Sequence, residues 1–391
     1  MFFSVKKMYI CNIEKNNDMA IIDLHSKPFD EGTITKLEIF ESYASEWLPT
    51  FVMGYPKRNL WIFDYFAGTG YDKNGIPGSP IRLLQQIKNQ AENILHKQNV
   101  INICFNEFSK DKFQLLQDSC DKYIKENALL SRLQTDRLLK VNYRNMDFAE
   151  LFPKTLSTIA QSPSLLYLDQ NGMKFLADKY LLELEKLPTT DFLYFLSSSY
   201  FVRFGNTEEF QSNMKIDIEK ARSNPYKYIH RSILEQLRSN LPINTELKLY
   251  PFSIKKGGNI YGIIFGAKHP RAVDKFLKTA WKKNNVNGEA NFDIDDDADK
   301  VQLDLFEGKR LTKIEGFQNN LKNNILAGNI KNNREAYDFT INNGHIATHA
   351  NDIVKKMKSE GLISYDSTSP LINYEQAYKN VHIIDFKLIS Q

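Results

Sequence analysis

The chain has 391 residues, of which 42% are hydrophobic and 25% charged, an ordinary globular balance with room for two or three domains. Its 51 basic and 47 acidic residues leave a net charge of +4, too mild to argue for nucleic-acid binding by itself. No apolar run approaches the length of a membrane span, the first residues lack a signal-peptide pattern, and Cys11, Cys104 and Cys120 form no C-x-x-C pair. These features point away from a membrane protein, a zinc site and a disulfide framework, and toward the cytoplasm.

Met1–Asp18 reads as an extension. Apolar residues at helical spacing, Leu37, Phe40, Tyr43, Ala44 and Trp47, predict a helix over 33–47. Strands are expected at Leu60–Tyr65, Val100–Asn106, Leu138–Val141, Leu165–Leu168 and Phe192–Leu196. Helical patterns lie between them, at Ser79–Gln98, Asp111–Glu126 and Met173–Leu187. Such alternation argues for a parallel sheet covered by helices on both faces. Two further strands, Leu247–Ile254 and Ile260–Phe265, flank Lys255-Lys-Gly-Gly-Asn259, a hairpin signal.

Arg271–Asp299 reads as a connecting segment. Beyond it, helices are expected at Lys313–Leu326, Asn333–Asn342 and His345–Glu360, and short strands at Leu362–Tyr365 and Val381–Phe386. Three helices and a ribbon suggest a winged helix-turn-helix domain. The expected division is an extension over 1–18, an α/β domain over 19–300 and a winged-helix domain over 301–391.

The stretch Leu60-Trp-Ile-Phe-Asp-Tyr-Phe-Ala-Gly-Thr-Gly70 carries the strongest functional signal. A β-type run ends in Asp64 and opens through Phe66 into a Gly-x-Gly turn at Gly68 and Gly70. Glycines there let the backbone approach a ligand and expose its N–H groups. The layout resembles the first strand and cofactor loop of class I S-adenosylmethionine-dependent methyltransferases. A terminal antiparallel hairpin fits the same Rossmann-like fold, whereas a plain dehydrogenase more often continues with parallel units.

Ligands of open α/β sheets bind at the carboxyl ends of the strands. Gly68 and Gly70 are expected there after the first strand, with Asp64 beneath them, and Glu107, Asp147 and Asp169 after the second, third and fourth. Glu107 could accept from ribose hydroxyls and Asp147 from an adenine amine. Asp169 and Asn171 could orient a target amine, because methyl transfer needs alignment more than acid strength. Plainer readings stand beside these: Glu107 and Asp147 as helix caps, and Asp169-Gln-Asn-Gly172 as a polar turn.

Other residues look chemical and read as structural. Asp293, Asp295, Asp296, Asp297 and Asp299 lack the glycine and distal glutamate of an EF-hand and read as a solvated acidic turn. His25, His269, His345 and His349 have no metal-ligand spacing and default to surface or capping roles. Ser197-Ser-Ser199 has no nucleophile-elbow glycines. Lys355, Lys356 and Lys358 read either as phosphate contacts or as a solvated helix end.

Taken together, several motifs resemble the bacterial three-Cys-motif partner protein family. They are Leu24-His-Ser-Lys-Pro-Phe-Asp-Glu-Gly-Thr33 with Lys36, Phe63–Gly70 with Gly78-Ser-Pro80, Leu168–Gly172, Gly288-Glu-Ala-Asn-Phe-Asp293, and Asn333–Thr340 with His349-Ala350. The resemblance runs from about residue 22 to near the C-terminus. It implies a partner protein with a cysteine motif like that of radical S-adenosylmethionine enzymes, and a mobile-element or phage-related setting. Where the family tends to carry Asp-Pro-aromatic-Gly, this chain has Asp169-Gln-Asn-Gly172, without the stiff turn and stacking ring of amino-methyltransferases.

Two expectations follow. The first is an S-adenosylmethionine-dependent methyltransferase acting on nucleic acid or a nucleic-acid-associated substrate. The second is a non-catalytic module that binds a nucleotide or a protein partner. Hydrolysis ranks last, because no metal-carboxylate cluster is evident.

Overall fold

The computed structural model describes residues 28–54, 56–170, 178–197, 207, 217, 219–220, 226–300 and 310–389. Helix α1 (Glu31–Gly54) precedes strand β1 (Asn59–Asp64). Helices α2 (Ser79–Asn89) and α3 (Ala91–Lys97) lead to β2 (Val100–Asn106), and α4 (Lys110–Glu126) and α5 (Ala128–Thr135) lead to β3 (Leu139–Arg144). Then come α6 (Phe148–Gln161), β4 (Ser164–Leu168), α7 (Asp178–Lys186) and β5 (Thr190–Ser197). Helix α8 (Ile229–Ser239) precedes β6 (Lys248–Lys256) and β7 (Asn259–Ala267).

The seven strands form one sheet in the order β3-β2-β1-β4-β5-β7-β6. The first five are parallel, while β7 runs antiparallel to both β5 and β6. Inserting the last strand of a terminal hairpin beside β5 is the class I methyltransferase arrangement, and it confirms the expected sheet. The strands are nearly continuous apolar runs because both faces are covered. One face packs under α1 to α5 in a large hydrophobic cluster, and the other under α6, α7 and α8.

The helix expected over Ser79–Gln98 is two helices, joined at Gln90 (φ −104°, ψ 4°), whose N–H is spent on the carbonyls of Ile87 and Lys88. The segment from Arg271 is not a simple connection. Helix α9 (Pro270–Lys283) starts from a His269 cap, with Pro270 in its first turn. Its Ala272, Val273, Phe276, Leu277, Ala280 and Trp281 are buried, a 3.6-residue spacing that its lysines obscure in the sequence.

A short α10 (Asp297–Lys300) precedes α11 (Lys313–Leu326), α12 (Asn333–Asn342) and α13 (Ala347–Ser359), and strands β8 (Ile363–Ser364) and β9 (Lys387–Leu388) pair antiparallel. The bounds of α11 and α12 match those expected, because each has a sequence-encoded start. Thr312 and Glu315 form a capping box, and the Asn332 side chain accepts from the Glu335 amide.

The strand expected at Val381–Phe386 pairs elsewhere. Asn333 donates to the His382 carbonyl and accepts from the Ile384 amide, and the Phe386 amide donates to Lys331. Those backbone groups are therefore used before the ribbon begins, and the ladder shifts to Lys387–Leu388.

The C-terminal helices share the hydrophobic cluster of the sheet's α1 face. The Tyr250 hydroxyl donates to the Ile341 carbonyl (2.8 Å) and the Trp281 indole to Gly344 (2.9 Å). The acidic segment, expected to be solvated, is paired. Arg231 binds both carboxylate oxygens of Asp295, each at 2.7 Å, and also Glu289. Lys313 reaches Glu289 at 2.5 Å, Lys227 pairs with Asp296, and Asp293 accepts from the amides of Asp297 and Ala298. Burial pushes the Glu289 carboxyl up, but Lys313 and Arg231 outweigh it and hold it below the usual range.

His345 and His349 also depart from their expected surface or capping roles. Both are buried, with their Nδ1 atoms 3.1 Å apart. His345 stacks on Phe317 and His349 meets Trp281 edge-on, at centroid distances of 4.0 and 4.4 Å. His269 does cap a helix, accepting from the Arg271 amide. Cys104 and Cys120 are buried free thiols; Cys11 and His25 lie outside the described residues.

Candidate functional site

The carboxyl ends of β1 to β4 bring several of the expected residues together. After Asp64 the chain turns through hydrogen bonds to its neighbours: the Tyr65 amide donates to Tyr167 (3.1 Å) and the Ala67 amide to Asn106 (2.9 Å). Gly68 (φ 67°) and Gly70 (φ 89°) both occupy the left-handed region, where a side chain is strained. A Cβ at Gly70 would also lie 2.7 Å from Ser119 Cβ. The Gly78 amide closes the loop on the Gly70 carbonyl at 2.8 Å, and the Asp72 carboxylate accepts from the amides of Phe29, Asn74 and Ile76.

Asp64 is fully buried beneath this loop. One oxygen accepts from the Ser79 hydroxyl (2.6 Å) and the other from the Phe66 amide (3.2 Å). Burial pushes its carboxyl up to about 7, with Asp169 and Glu107 adding to the rise and the two hydrogen bonds opposing it. Both oxygens are occupied by the fold, so Asp64 shapes the loop from below.

Glu107 joins the glycine loop to the start of α4. One oxygen accepts from the Gly68 amide at 3.1 Å and the other from the Ser109 amide at 2.8 Å, at the start of α4. Each oxygen retains a second lone-pair site. Asp147 caps α6, accepting from the Ala149 amide at 2.8 Å. Phe66 is half-buried against Phe148, with centroids 5.4 Å apart.

Asp169 forms an ion pair with Lys36 of α1, and the lysine also lies over the Phe195 ring at 4.4 Å. Asn171 lies outside the described residues, as do Ser198 and Ser199. Gln170, between Asp169 and Asn171 in the expected motif, is buried, with its amide 3.5 Å from the Tyr194 hydroxyl.

Three supporting residues carried no signal in the sequence, and a fourth carried a partial one. The Asn106 amide donates to the carbonyls of Tyr65 and Met146, tying β1, β2 and the turn after β3 together. Asn145 donates to the carbonyls of Glu107 and Phe108. Phe108 is 68% exposed, a large apolar side chain in a polar turn. Lys36 was legible only as part of a motif. The asparagines gave no signal, because their partners come from other strands.

Among the described residues, no group of three or more His, Cys, Asp or Glu could hold a metal ion, and no helix is long and apolar enough to cross a membrane. Of the C-terminal lysines, Lys358 donates to the carbonyls of Tyr365 and Ser367, each at 2.9 Å. It therefore holds the ribbon, while Lys356 lies exposed, 3.9 Å from Glu360.

Residues 292–370 match the GMT-like wHTH domain family. Two solved structures are similar at low identity. DszA carbon methyltransferase is 12% identical over 64% of this chain and 58% of its own, with a TM-score of 0.35. Trm1 from Pyrococcus horikoshii, in complex with S-adenosyl-L-methionine, is 11% identical over 64% of this chain and 59% of its own, with a TM-score of 0.28. The chain thus spans less than two thirds of either protein. No curated protein matches it. From the strand order, the terminal hairpin and the family match, the chain is a class I methyltransferase-like α/β fold followed by a winged-helix domain.

Proposed function

We propose that the chain is an S-adenosylmethionine-dependent methyltransferase acting on nucleic acid or a nucleic-acid-associated substrate. The observation that carries this reading is the meeting of Gly68 and Glu107 across the ends of β1 and β2. A tight glycine loop and an acid with free lone pairs, side by side at the carboxyl edge of this sheet, fit an amino-acid-bearing nucleoside. Gly68 and Gly70 would give the cofactor's amino-acid end close backbone approach, and Glu107 would accept from its ribose hydroxyls. Asp147 would accept from the adenine amine, with Phe66 and Phe108 as apolar neighbours. When bound, the cofactor supplies an electrophilic methyl group. Asp169 and Asn171 would position the acceptor, and Asp64 would hold the loop in shape.

The same proposal divides the chain near residue 300, with the α/β domain over 19–300 and the winged helix over 301–391. It places the protein in the cytoplasm, beside a partner of the three-Cys-motif, radical S-adenosylmethionine-like kind. The winged helix would supply the contact to nucleic acid or to that partner.

Calorimetric titration with S-adenosylmethionine and S-adenosylhomocysteine tests the cofactor site. Micromolar binding that is lost in a folded Gly68→Asp variant is the expected outcome. Unchanged binding in that variant refutes the site.

A second reading is favoured by the Lys36–Asp169 ion pair. The acid that would orient an acceptor is already held by a cation, and the turn lacks proline and an aromatic residue. On this reading the fold is a non-catalytic module that binds a nucleotide or a protein partner. Failure of a folded chain to bind either cofactor form, with co-purification of an iron–sulfur partner, supports it.

A further inference from the structure

A cleft of about 720 Å³ opens at the opposite, amino-terminal end of the parallel strands. It lies between α1, the start of β5, α9 and residues 374–379 that follow the winged-helix bundle. Five cations line it: Arg58, Lys268, Arg271, Lys275 and Lys379. Carboxylates lie within reach of four of them. Lys275 pairs with Glu46 (2.6 Å), Lys268 approaches Glu185 (3.7 Å), and Arg271 and Lys379 share Glu375 at 4.0 and 3.1 Å. Glu46 and Glu375 are half-exposed, so a phosphate could replace them with little desolvation.

The walls are aromatic. Phe51 lines one side, with the buried Trp47 packed against it, and Tyr374 lies on the other, stacked on Tyr378 with centroids 5.7 Å apart. Arg271 lies over the Tyr374 ring at 5.4 Å. The floor is polar and buried. Asp191 accepts from the Tyr43 hydroxyl at 2.6 Å. Thr190 Oγ1 is buried with no hydrogen-bond partner among the described residues, a state that calls for an explanation in a folded protein.

We propose that this cleft binds a nucleotide, with the phosphate held by the Arg271–Lys379 rim, the base between the aromatic walls, and Thr190 with Asp191 meeting the base edge. The volume suits one nucleotide unit. Cations beside aromatic faces, above buried polar groups, are the combination that nucleotide recognition uses. The site is separate from the Gly68–Glu107 edge and does not depend on the cofactor reading.

The test uses the full chain and two kinds of probe. Nucleoside 5′-monophosphates are titrated by calorimetry, and fluorescein-labelled single-stranded oligonucleotides of about ten residues by anisotropy. Arg271→Ala should weaken binding about 10-fold and lower the salt slope by about one. Tyr374→Ala should weaken it by a similar factor, and Asp191→Asn should change the preference among bases. The Arg271→Ala and Tyr374→Ala variants should keep the melting temperature of the parent chain. S-adenosylhomocysteine should not compete. Binding of monophosphates assigns the free nucleotide as the ligand, whereas binding of the strand alone assigns the cleft to nucleic acid; both support the proposal. No binding of either probe overturns it. So does affinity unaffected by Arg271→Ala and Tyr374→Ala but abolished in the Lys355→Ala, Lys356→Ala double variant.

Discussion

Asp64→Asn isolates the energetic cost of the acid beneath the glycine loop. The side chain is fully buried and its carboxyl is pushed up to about 7 by burial. The folded protein therefore keeps the proton as pH rises from about 4, where an unfolded aspartate releases it, to about 7. This acid contributes nothing to the stability balance below about pH 4. Its destabilisation then grows with pH and levels off above about 7, at about 4 kcal/mol. Asparagine has the same shape; its oxygen can accept from the Phe66 amide and its nitrogen can donate to Ser79, but it cannot ionise. Urea unfolding followed by tryptophan fluorescence, at pH 5 and pH 8, gives the stability difference between variant and parent. That difference should shift in favour of the variant by about 3 kcal/mol across the interval. Contributions from Asp191 and the buried histidines are common to both proteins and cancel. A pH-independent difference would refute the reasoning, because it would mean that Asp64 titrates alike in the folded and unfolded chains.

Gly70→Ala should cost about 2–3 kcal/mol, since φ is 89° and the new Cβ would meet Ser119; thermal denaturation measures it, and calorimetry should show cofactor affinity falling with it. His345 and His349 are held neutral chiefly by burial, with Lys313 adding to it, and both lie below the usual histidine range. Their contribution to stability is complete above about pH 6.5 and is lost as pH falls below it, so near-ultraviolet circular dichroism from Trp281, which touches both rings, should fade on acidification before the far-ultraviolet signal does. Glu289→Ala leaves Lys313 facing a lost partner and Arg231 with only Asp295, and should destabilise the chain by about 3 kcal/mol in denaturant unfolding; a change under 1 kcal/mol would mean the network is solvated.

Much of this protein can be read from local pattern. The apolar runs of β1 to β7 announce a sheet, and the glycines at 68 and 70 announce a turn at its edge. The hairpin signal at Lys255–Asn259 predicts the antiparallel end that separates this fold from a continuing Rossmann sheet. The caps at Thr312 and Asn332 fix where α11 and α12 begin. All of these depend on residues close together in the chain, where spacing and propensity decide the outcome.

Partners distant in the chain are a different matter. Glu107 reaches Gly68 only because β2 lies beside β1, and Asp169 meets Lys36 only because α1 folds over the end of β4. His345 and His349 look like exposed helix residues until Phe317 and Trp281 close over them. The aspartates after Phe292 look solvated until Arg231 and Lys313 arrive from elsewhere. The nucleotide-sized cleft draws its walls from four separated segments, none of which is a motif. Charge and burial belong to the assembled surface, so pairing and pKa are decided by tertiary packing, while the sequence by itself determines which elements form and where they begin.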